Sequence, residues 1–127
     1  MAKAGMPFGE LMGIDVVERD KTKVVGRLTV REDLCTSGGI LHGGAFMAFA
    51  DTLGAIGASL NLRQNTGTTT LESKTNFIRG ARLGETVTGE TTPLHVGRRS
   101  SVWQTRLTNA EGKLLALVTQ TQMVLEG

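Results

Sequence analysis

Apolar and polar residues alternate with period two through most of this chain, and one block breaks the rhythm. Residues 14–18 and 23–30 read as two strands; in the second, Val24, Gly26, Leu28 and Val30 alternate with Val25, Arg27 and Thr29. Beyond Gly67 the alternation resumes over 69–78, 86–96, 100–107 and 114–125, with residues 97–98 and 109–112 as hairpin connections. A short helical turn is expected at 8–12. Residues 31–41, around Thr36-Ser37-Gly38-Gly39, read as a loop.

The exception runs from residue 43 to residue 63. Its apolar residues, among them Ala45, Phe46, Phe49, Ala50, Ile56 and Ala58, are not confined to one stripe, which predicts a helix buried on most sides. The order is therefore two strands, one helix, four strands. A single helix buries most of its circumference only if a curved sheet wraps it. The expected fold is α+β, an antiparallel β-sheet around one long central helix. No repeat or linker interrupts residues 1–127, so a single domain is expected, and its glycines, Gly26 among them, read mostly as punctuation at the ends of runs. A lone small sheet leaves edge strands open, which favours self-association.

Composition narrows the function. The 127 residues are 39% apolar and 20% charged, which describes a globular chain able to bury about two-thirds of its surface. Fourteen basic residues against twelve acidic ones leave a net charge of +2, too small for a general polyanion binder. Five aromatic residues and no tyrosine disfavour a base-stacking platform, so no nucleic-acid partner is expected. One cysteine, Cys35, excludes an intrachain disulfide, and two histidines are too few for a metal centre without carboxylate help. Cys35 itself reads as a buried small apolar residue. The segment 41–62 is long enough to cross a bilayer, but Asp51 near its middle and several glycines argue against a membrane span. With no apolar run after Lys3, a cytoplasmic location is expected.

Chemistry concentrates where the long helix starts. His42 precedes Gly43 and Gly44, and the first amides of a helix lack intrahelical partners, so they suit a ligand oxygen carrying negative charge. His42 is a candidate base, orienting donor or cap. Asp51, nine residues on, has no Lys or Arg within four positions of it. An ionised carboxylate in this apolar setting needs partners from elsewhere, or it is held for chemistry. Thr36 and Ser37 read as turn hydroxyls. Arg79 with Arg82, and Arg98 with Arg99, sit at turns that are either solvated edges or phosphate contacts.

The combination Leu41-His42-Gly43-Gly44-Ala45, Ala50-Asp51-Thr52 and Phe77-Ile78-Arg79-Gly80-Ala81-Arg82-Leu83-Gly84-Glu85 resembles the hotdog-fold acyl-CoA thioesterases, in particular the PaaI-like branch named for phenylacetate catabolism. The element order agrees over essentially the whole chain. The resemblance implies hydrolysis of an acyl-CoA, one with an aromatic acyl group included, to the free acid and coenzyme A. Coenzyme A enters as part of the substrate, and no separate cofactor is implied. It implies that the Gly43 amide polarises the thioester carbonyl and that Asp51, from the opposite subunit, acts as general base or nucleophile. His42 takes an orienting role. Gly44, Phe46, Thr69, Arg79, Arg82, Arg98 and Arg99 are implied in substrate binding. A hydroxyl early in the first strand after the helix matches Thr70, or its neighbour Thr69, and only one of them can face the site. Many relatives carry Asn or Gln where this chain has Thr36, a shorter side chain with a different donor pattern. The implied assembly is a homodimer with a shared active site, doubled to a homotetramer. The alternative is a non-catalytic acyl-CoA or acyl-carrier binding module of the same fold.

Overall fold

The computed structural model describes residues 4–126; residues 1–3 and 127 of the expected domain lie outside the described residues. A short helix α1 (Pro7–Met12) is followed by strands β1 (Asp15–Asp20) and β2 (Lys23–Thr29). The long helix α2 (Gly43–Leu60) comes next, then β3 (Thr66–Phe77), β4 (Thr86–Val96), β5 (Ser100–Thr108) and β6 (Leu114–Glu126). The strands form one antiparallel six-stranded sheet in the order β1-β2-β4-β5-β6-β3. This is the α+β architecture expected from the alternation, with boundaries moved by one to three residues at most ends. β3 starts earlier than expected because Gly67 pairs with Leu125 inside the strand instead of ending a turn.

The chain leaves β2, runs along α2 under the sheet, and returns as β3 on the far edge beside β6. α2 touches all six strands, and its Phe49, Ala50 and Leu53 are fully buried. Gly26 and Gly89 are cross-strand partners on β2 and β4, and Leu53 and Phe49 of the helix press onto both. Gly26 thus serves close approach of helix to sheet, a role that a reading as punctuation misses. A Cβ at position 89 would lie 2.6 Å from Leu53 Cδ1 and 3.1 Å from Leu107 Cδ2. Gly89→Ala is therefore expected to destabilise the fold by about 1–3 kcal/mol, measured by urea denaturation.

The loop 31–41 is ordered by its own bonds. A 3-10 turn (Glu32–Leu34) leads into a small hairpin in which Thr36 N–H donates to Ile40 C=O at 2.8 Å and Cys35 bridges to Leu41. His42 N–H donates to Leu34 C=O at 2.9 Å and Leu41 N–H to Ala81 C=O at 2.8 Å, which fixes where α2 starts. Cys35 is half-buried against the core, and its thiol donates to Arg31 C=O at 3.2 Å.

Candidate active site

His42 is the N-cap of α2. Its backbone is extended, and its Nδ1 accepts from Gly44 N–H at 2.8 Å. That bond places the ring proton on Nε2 and makes His42 a cap of the helix. It also occupies the Gly44 amide, so Gly44 has no N–H left for a ligand. Ala45 N–H and Phe46 N–H go to His42 C=O. Among the described residues, only Gly43 N–H at this helix start has no hydrogen-bond partner.

Gly43 opens onto a groove of about 340 Å³ lined by Thr36, Leu41, Phe46, Phe77, Ile78 and Arg79. Phe46 is buried, and Phe77 packs edge-on against it with ring centroids 6.2 Å apart. The Phe77 ring lies where a Gly43 side chain would begin, 3.2 Å from an ideal Cβ. The Thr36 hydroxyl lines this groove yet accepts from Gly38 N–H at 3.2 Å, a local turn bond of the kind expected for it. Arg79 and Gly80 also line a second depression with Arg82, Asn109 and Lys113. Glu85 and Glu111 line it too, so the groove at Gly43 adjoins a depression of mixed charge in which Arg79 and Arg82 are the arginines.

Asp51 lies two turns along α2 and is half-buried. No cation pairs with it among the described residues; neutral donors arrive from the sheet. Thr70 Oγ1 donates to Asp51 Oδ1 at 2.6 Å, and Gln120 Nε2 donates to the same oxygen at 3.3 Å. Behind them Gln122 Nε2 donates to Thr70 Oγ1 at 2.6 Å, and Thr68 Oγ1 donates to Gln122 Oε1 at 3.0 Å. Thr69 is exposed, so alternation brings Thr70 to Asp51 and turns Thr69 away. Gln120 and Gln122 escaped the sequence reading. The clue was present: Thr119-Gln120-Thr121-Gln122 offers no apolar residue to either face of a strand that has to line a core.

Gly43 and Asp51 do not meet in one chain. Eight helical residues separate them by about 12 Å. Arg98 and Arg99 are also remote: they line a depression with Met123, Leu125 and Glu126 at the opposite end of the sheet. Seven residues of β6 separate the two ends, about 23 Å.

Residues 38–116 match the Thioesterase superfamily. The chain is 30% identical to a 1,4-dihydroxy-2-naphthoyl-CoA hydrolase of Listeria monocytogenes, over 88% of this chain and 90% of that one. Five further curated relatives are spanned over only 57 to 64% of their own length. A thioesterase structure from Haemophilus influenzae superposes with a TM-score of 0.90 at 28% identity, covering 97% of this chain and 85% of that one. The Escherichia coli PaaI protein shares the fold, with a TM-score of 0.89 at 23% identity, covering 97% and 87%.

Proposed function

From this chain's membership of the thioesterase superfamily, we propose that it hydrolyses an acyl-CoA to the free acid and coenzyme A at a site shared by two copies. The observation that carries the reading is the unengaged Gly43 N–H at the start of a long helix, opening onto a groove that ends in arginines. A thioester oxygen accepting from that amide gains the helix-terminal field as it becomes an oxyanion. The pantetheine arm then follows the groove past Phe77 and Ile78, and the nucleotide phosphates meet Arg79 and Arg82.

A second copy supplies the acid. β3 is a twelve-residue edge strand with one side unpaired among the described residues. Gly43, Met47, Asp51 and Ala55 form a half-exposed stripe on α2. If two β3 strands pair antiparallel about an axis between Ser73 and Lys74, Thr70 of one copy lies opposite Phe77 of the other. Asp51, bonded to the first, then faces Gly43, packed on the second. The same pairing carries Arg98 and Arg99 of one copy toward the Arg79 end of the other, so all four arginines border one ligand. A homotetramer is two such dimers.

Asp51 Oδ2 carries no hydrogen bond among the described residues and is the oxygen left to act. Water at Oδ2 gives up its proton as its oxygen adds to the carbonyl carbon. The oxyanion collapses, the C–S bond breaks, and the coenzyme A thiolate leaves and takes up a proton. Water is the only co-reactant this requires. We assign the acyl group to the other flank of the helix start, a cavity of about 410 Å³ that Leu11, Leu34, Ala45 and Ala48 line beside His42, with Arg31 and Asp33 also in its wall. Space of this size accepts an aromatic ring system, and the Listeria relative is named for an aromatic acyl-CoA.

The test is thiol release from a panel of aromatic, short-chain and medium-chain acyl-CoA thioesters. Release is expected, with aromatic thioesters ahead. The Thr36 hydroxyl, drawn onto its own loop by the bond from Gly38 N–H, is the observation that favours the second reading, a non-catalytic binding module. Absence of release across the panel with coenzyme A binding intact would establish that reading instead.

A further inference from the structure

Four side chains form a chain of hydrogen bonds that ends on Asp51, and their chemistry allows it only one direction. An ionised carboxylate only accepts, so the Thr70 hydroxyl has to donate to Asp51 Oδ1. With its proton committed, Thr70 Oγ1 accepts from Gln122 Nε2. That turns Gln122 Oε1 toward Thr68, whose hydroxyl donates to it. The threonine and glutamine rotors are thereby fixed together, and Gln120 adds a second donor to the same Asp51 oxygen.

Two glutamines at 1% exposure are a costly choice for the inward face of a strand. Gln120 even leaves its Oε1 buried without a partner among the described residues. Its amide reaches Asp51 only because position 54 on α2 is glycine, where an ideal Cβ would sit 2.3 Å from that amide. Leucine or methionine would fill these places at lower cost. What the polar residues deliver in return is a half-buried carboxylate held through one oxygen, Oδ1, with no hydrogen bond to the other among the described residues.

We infer that Gln122, acting through Thr70, is a positioning residue that fixes the Asp51 carboxylate and leaves Oδ2 as its working oxygen. This rests on the hydrolase reading above. Gln122 touches neither substrate nor Asp51, so its effect belongs in kcat and not in KM. Gln122→Met keeps the volume and removes the amide. It is expected to lower kcat about tenfold with KM within about twofold of wild type. Thr70→Val is expected to do the same, and Thr70→Ser, which keeps the hydroxyl, to restore most of the activity. Because the groups act in series, the double variant Thr70→Val, Gln122→Met should fall no lower than Thr70→Val alone. Melting curves check that each variant is folded, and NMR of the Gln122 side-chain amide reads the chain of bonds directly. Its protons should be protected from exchange in the wild type and released in Thr70→Val.

Wild-type kcat in a folded Gln122→Met variant would overturn the positioning role, as would losses that multiply in the double variant or fall in KM. Absence of hydrolysis by the wild type itself would overturn the hydrolase reading and the positioning role together.

Discussion

Gly43→Pro is expected to lower thioester turnover by about 10²–10³-fold while the protein stays folded. Proline has no N–H, so the substitution deletes the one amide at this helix start that lacks a partner among the described residues. The position tolerates the ring. Gly43 is the first residue of α2, where the proline φ suits a helix and the missing N–H costs no helical bond. His42 before it has φ −62° and ψ 138°, the extended conformation that a residue preceding proline prefers. The Phe77 ring has to yield slightly, and at 55% exposure it can. Circular dichroism should therefore match the wild type, and coenzyme A binding should persist through the arginines. Turnover near the wild-type level in Gly43→Pro would remove the oxyanion role from this amide.

Asp51→Asn is expected to lower kcat by about 10²-fold with coenzyme A binding unchanged. The asparagine Oδ1 still accepts from Thr70 and Gln120, so the packing between α2, β3 and β6 survives. What disappears is the proton acceptor at Oδ2, replaced by an amide that cannot take a proton from water. Single-turnover hydrolysis in ¹⁸O-water adds detail. Water attack puts the label in the released acid alone, whereas attack by the carboxylate itself would leave label in Asp51.

Much of this arrangement was legible in the residue order. Period-two alternation located all six strands, and an apolar block without a stripe identified a helix that the sheet had to cover. His42-Gly43-Gly44 and Asp51 stood out because an orphan amide pair and a carboxylate without a local cation both call for explanation. Three things were not legible, for reasons that lie in three dimensions. Gln120 and Gln122 are distant in sequence from Asp51, and only the β3–β6 register brings them to it. Gly26 looks like a break until cross-strand pairing sets it beside Gly89 beneath Leu53 and Phe49. Phe77 belongs to the groove because α2 starts beside the end of β3, a juxtaposition that depends on the crossover of the chain beneath the sheet.

The separation of Gly43 from Asp51 makes the shared site the central claim, and two inactive variants test it. Gly43→Pro and Asp51→Asn are each purified, mixed in equal amounts, allowed to exchange subunits and assayed for thiol release. A mixed dimer combines the intact Gly43 of one chain with the intact Asp51 of the other at one of its two sites. Random pairing therefore predicts recovery to about a quarter of wild-type activity. Mixed dimers that form, as followed by mass spectrometry, yet stay as inactive as either parent would contradict a site built from two copies.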